Sequence, residues 1–109
     1  MKIGLDIMSG DNAPLSNING AIKYVNNPLS KNNEIILYGN ENIIKNNLNL
    51  LKKYSNRINF IYTTQIVNMD DSPSFAFKNK RNSSLIKILD DLKINKINAS
   101  VSAGNTGVL

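Results

Sequence analysis

Three stretches of this chain gather short polar side chains, glycines and charges at spacings that could hold an anion. Met8-Ser9-Gly10-Asp11-Asn12-Ala13-Pro14 sets a carboxylate and an amide beside a glycine. Asp70-Asp71-Ser72-Pro73 is followed by Lys78, Lys80 and Arg81, and Ser102-Ala103-Gly104-Asn105-Thr106-Gly107 forms the third stretch. In the last, Gly104 and Gly107 permit positive φ and close backbone approach, while Ser102, Asn105 and Thr106 offer short hydrogen-bonding groups. Between a strand and a helix, such a loop can cradle phosphate or carboxylate on free N–H groups. The same composition also suits a tight strand-to-helix turn. It matches neither the Walker A pattern nor GxGxxG, so a nucleotide is not indicated.

The other two stretches are open to two readings each. Asp11 and Asn12 can cap a helix or orient a substrate. Asp70 and Asp71 are adjacent, so their side chains diverge, and no third ligand is evident; capping is the expectation and a metal is not. Lys80 and Arg81 can meet an anion, Arg through a two-point contact, or they can lie on a solvated face.

Composition removes several chemistries. The chain has neither Cys nor His, so disulfides, thiolate nucleophiles and a Ser-His-Asp device cannot be built from these residues. The net charge of +5 is spread along the chain, and the few aromatics do not alternate with basic residues, so nucleic acid is not expected as a partner. Apolar runs are short and the start lacks a signal-peptide pattern, which predicts a cytoplasmic location. Asn supplies roughly a fifth of the residues, interspersed with Ile and Leu at helical spacing, as expected of a compositional bias in surface positions.

The elements that would position these loops alternate between strand and helix. Residues 2–8, 34–39, 57–63 and 97–102 read as strands from their β-branched content, their apolar runs or alternation, and the turn formers that bound them. Ile18, Ile22 and Val25 share a helical face after Pro14; Ile43, Ile44, Leu48 and Leu51 mark a second helix. Pro73 opens a third, and Ser83-Ser84 caps a fourth with Leu85, Ile88, Leu89 and Leu92 inward. The prediction is an α/β fold, a Rossmann-like, mainly parallel sheet with flanking helices, whose ligands lie outside the carboxyl ends of the strands.

Taken in order, Asp6-Ile7-Met8-Ser9-Gly10-Asp11-Asn12-Ala13-Pro14, Met69-Asp70-Asp71-Ser72-Pro73 with Ala76, Lys78, Lys80 and Ser83-Ser84, and Val101-Ser102-Ala103-Gly104-Asn105-Thr106-Gly107 resemble the bacterial phosphate acyltransferases, the PlsX family. Ser9 stands where that family usually has a second glycine, Lys78 where arginine is common, and Asn82 where aspartate is usual. The resemblance implies a homodimeric enzyme of a phosphotransacetylase-related fold. It would convert acyl-[acyl-carrier-protein] and inorganic phosphate reversibly to acyl phosphate, without a cofactor, for phospholipid synthesis. It also implies peripheral membrane association and a downstream glycerol-3-phosphate acyltransferase. On this reading Asn105 and Asp11 are the catalytic candidates, and Asn12, Lys80, Arg81, Ser102, Gly104, Thr106 and Gly107 bind phosphate or substrate.

The family's members are about three times as long, so residues 1–109 are expected to be the N-terminal part of a single acyltransferase domain. Two rival readings are another phosphate-binding enzyme of related fold and an inactive fragment that keeps a phosphate loop.

Overall fold

A computed structural model describes residues 1–54, 56–105, 107 and 108. Four strands, β1 (Lys2–Asp6), β2 (Glu34–Asn40), β3 (Ile58–Thr63) and β4 (Ala99–Val101), form one sheet in the order β3-β2-β1-β4. Every pairing is parallel, with Ile3 opposite both Ile35 and Ala99. The expected Rossmann-like α/β fold is therefore present. β4 pairs over three residues, fewer than the six expected, with Ile97 buried just before it.

Side-chain alternation along β1 and β2 divides the core. Leu5, Ile35, Leu37 and Ile58 face α1 (Leu15–Val25), which buries Ile18, Ala21 and Val25 against them. On the opposite face, Tyr38 packs with Ile88 and Ile97 beneath α5 (Ser84–Lys93). Each fully buried Ile or Leu contributes about 1.5–3 kcal/mol, so these two faces hold the sheet between helices. α5 also buries Ile86, which packs with Val67, Ala76 and Val108 instead of with the sheet. The single stripe of Leu85, Ile88, Leu89 and Leu92 could not reveal that the helix has two covered sides. The Tyr38 hydroxyl donates to the buried Asp91 carboxylate at 2.8 Å, and burial, reinforced by that bond, pushes the phenol well above its usual range.

The expected second helix is divided into α2 (Glu41–Asn46) and α3 (Leu48–Leu51), where Asn47 leaves helical geometry and its amide bonds back to the Ile43 carbonyl. Local capping explains other boundaries. Asn40 caps α2, Ser72 caps α4 (Pro73–Asn79) and Ser83 caps α5, each through a side-chain oxygen accepting a backbone N–H. Neither Asp11 nor Asn12 caps α1; Pro14 holds that position without a side-chain bond. Nor does Asp70 or Asp71 cap α4. Among the described residues, no helix is long and apolar enough to cross a membrane.

Candidate active site

β1 leads through α1 to β2 on one side, whereas β3 leads through α5 to β4 on its other side. The direction of winding thus reverses between β1 and β4, and a crevice forms there outside the strand ends. Residues 7–14 and 102–105 leave these two strands side by side. Gly10 has φ +103°, and a Cβ on it would stand 3.2 Å from the Ala103 Cβ. Gly104 has no such torsion. It is required for space, since a Cβ there would lie 3.1 Å from both Ser9 Oγ and Ser102 Oγ. The expectation that Gly104 serves a positive φ is replaced by this close approach.

The carboxylate of Asp6 sits beneath both loops, 1% exposed at the end of β1. Its Oδ1 accepts from the Met8 N–H at 2.9 Å and from Ser84 Oγ at 2.6 Å. Its Oδ2 accepts from Ser9 Oγ at 2.6 Å and Ser102 Oγ at 2.8 Å. Ser102 Oγ in turn accepts the Gly104 N–H at 3.0 Å. Sequence reading passed over Asp6 because it closes a strand. The available signal was period-two alternation: Gly4 and Asp6 share the α5 face with Tyr38, an expensive place for a carboxylate without partners.

Residues 68–71 are held against the second crevice loop by Asn105, which is 6% exposed. Its Nδ2 donates to the carbonyls of Asn68, Met69 and Asp71 at 3.1, 3.2 and 2.7 Å, and its Oδ1 accepts the Gly107 N–H at 2.9 Å. Both amide hydrogens are thus committed to residues 68–71. Gly107 approaches α4 closely, for a Cβ there would be 3.2 Å from Pro73 Cγ.

Asp11 and Asn12 are exposed in the first loop, and among the described residues neither side chain has a hydrogen-bond partner. Lys80 and Arg81 do not converge. Lys80 Nζ pairs with Asp71 Oδ2 at 2.9 Å and donates to the Ile66 carbonyl, whereas Arg81 grips Asp90 through both carboxylate oxygens at 2.9 and 2.8 Å. Ser102 and Gly104 lie together at the crevice, and Thr106 lies outside the described residues. Among the described residues, no three His, Cys, Asp or Glu side chains gather as a metal would need.

The Lys80 ammonium beside Asp71, through its hydrogen bond, holds that carboxyl below its ordinary 3.8, with the Asn68 N–H adding to the effect. Because the folded value is depressed, this contribution is fully present above about pH 4 and is lost as pH falls through the folded value. A carbon-detected titration should therefore place the Asp71 midpoint below 3.8, and Lys80→Met should return it towards that value. A midpoint unchanged by Lys80→Met would exclude the ion pair as its cause.

A cavity of about 300 Å³ opens between α1 and the β1–β4 edge, lined by Ile3, Leu5, Tyr24 and Val101 among others. It adjoins the first loop through Asn17, whose Nδ2 donates to the Ser9 carbonyl at 2.9 Å.

A family model described as a fatty acid synthesis protein matches residues 1–109. A phosphate acyltransferase of Dictyoglomus thermophilum is 37% identical over 112 residues, covering 100% of this chain and 32% of that protein. One from Fusobacterium nucleatum is 41% identical over 112 residues, again covering 100% and 32%. One from Clostridioides difficile is 34% identical over 115 residues, covering 100% and 31%. The chain thus spans about a third of the length of these relatives. With a match over every residue and relatives well above 30% identity, the chain belongs to the phosphate acyltransferase (PlsX) family and corresponds to its N-terminal portion.

Proposed function

We propose that the protein bearing these residues forms acyl phosphate, reversibly, from acyl-[acyl-carrier-protein] and inorganic phosphate, for phospholipid synthesis. The observation that carries this reading is the meeting of the Gly10 and Gly104 loops at the β1–β4 switch point, in a chain whose relatives are named phosphate acyltransferases. Phosphate is the nucleophile; its oxygen attacks the thioester carbonyl, and collapse of the tetrahedral intermediate expels the thiolate, which takes up a proton. Residues 1–109 offer no His or Cys for this step, so their contribution is orientation and charge.

Ser102, Gly104, Thr106 and Gly107 cradle the phosphate, while Asp11 and Asn12, clear of the α1 cap, orient the substrate. Asn105 acts by holding residues 68–71 against the cradle. Lys80 and Arg81 contribute positive charge at the rim, each after exchanging a carboxylate partner. Family membership supports a homodimer, peripheral membrane association and a downstream glycerol-3-phosphate acyltransferase as parts of the same reading.

In a hydroxylamine-trapping assay of the whole protein, product should require phosphate and form faster from acyl-carrier-protein thioester than from acyl-coenzyme A. Product formed without phosphate, or from acyl-coenzyme A alone, would overturn the proposal.

A further inference from the structure

We infer that Asp6 is a positioning residue, which sets the spacing of the two crevice loops without touching substrate. The geometry reaches beyond the family's reaction, although the kinetic part of the test rests on the function proposed above. A carboxylate has about four acceptor sites, and here four donors fill them. Two of the donors, the Met8 N–H and Ser9 Oγ, belong to the first loop, and Ser102 Oγ belongs to the second. Ser84 Oγ comes from the first turn of α5 and ties the carboxylate to the core.

The bonds form a relay. Gly104 N–H donates to Ser102 Oγ, Ser102 donates to Asp6 Oδ2, and the same oxygen receives Ser9. One oxygen atom therefore fixes the distance between the hydroxyls flanking Gly104, which is where an added Cβ finds no room. Ordinary structural need would be met by burying an apolar residue at the end of a central strand. Four hydrogen bonds to a 1%-exposed carboxylate instead give the loops a single defined register.

Asp6→Asn keeps the shape but removes the charge and replaces one acceptor oxygen by an N–H donor, so the two partners at that atom lose a charged acceptor and must reverse or give up their hydrogen bonds. In the whole protein, amide hydrogen exchange in residues 8–12 and 102–105 should accelerate at least tenfold while β2 keeps its protection. The KM for phosphate should rise on the order of tenfold, more than kcat falls. Ser84→Ala, which removes the core tie and leaves all three loop ties, should leave the phosphate KM within about twofold. Unchanged loop exchange, or acceleration equal in the loops and β2, would overturn the inference.

Should Asp6→Asn fail to fold, the Ser9→Ala/Ser102→Ala double variant retains the carboxylate and cuts both hydroxyl ties to the loops, leaving only the Met8 N–H. It should show the same loop-selective exchange, and its absence would be equally fatal. If the unaltered protein makes no acyl phosphate, the proposed function fails, yet the exchange data still decide the role of Asp6.

Discussion

Asn105→Ala is expected to lower kcat/KM about a hundredfold and to destabilise the fold by about 2–4 kcal/mol. The side chain donates to three backbone carbonyls of residues 68–71 and accepts from Gly107. Truncation leaves those groups to find water or remain unpaired. Asn68 and Met69 are exposed, so their carbonyls can hydrate, and the total falls well short of four full desolvation penalties. The kinetic loss is larger because the amide is the bond between residues 68–71 and the Gly104 loop. A displacement of about 1 Å in a positioning element can cost a hundredfold in rate. Asn105→Asp should be at least as damaging, since it points a carboxylate oxygen at three carbonyl oxygens. Urea unfolding and phosphate-dependent kinetics measure the two effects separately. An Asn105→Ala enzyme with unaltered kcat/KM would remove Asn105 from both catalysis and loop positioning.

Much of the framework was legible from local chemistry. The β-branched runs bounded by turn formers located all four strands, and the Ser72-Pro73 and Ser83-Ser84 pairs marked the starts of α4 and α5. Placing the Gly10 and Gly104 loops on one edge followed from parallel topology alone. What stayed hidden depends on contacts distant in sequence. Asp6 meets Ser84 and Ser102 across separations of 78 and 96 residues, so no window of sequence reveals that its carboxylate is shared. Asn105 looked like a ligand because an amide beside two glycines suits an anion; its commitment to carbonyls 34 to 37 residues earlier is a tertiary fact. Lys80 and Arg81 appeared as one cluster, but their side chains diverge to Asp71 and Asp90 on different elements.

Gly10→Ala should be the second most damaging single change, lowering kcat/KM by roughly 30- to 100-fold and raising the KM for phosphate. Two independent costs act at this position. A φ of +103° is open to glycine but strained for alanine, at about 1–3 kcal/mol. The new methyl would also meet the Ala103 Cβ at 3.2 Å, closer than ordinary van der Waals contact. Relaxing the torsion swings the loop that carries Asp11, while relieving the contact pushes apart the two loops that Asp6 ties through Ser9 and Ser102. Both routes widen the crevice. Adding Ala103→Gly separates the terms, because it removes the methyl contact and leaves the torsion. Partial recovery of kcat/KM in the double variant is the expected result. Full recovery would assign the whole effect to the contact, no recovery would assign it to φ, and an undiminished Gly10→Ala enzyme would show that the spacing of these loops does not govern the reaction.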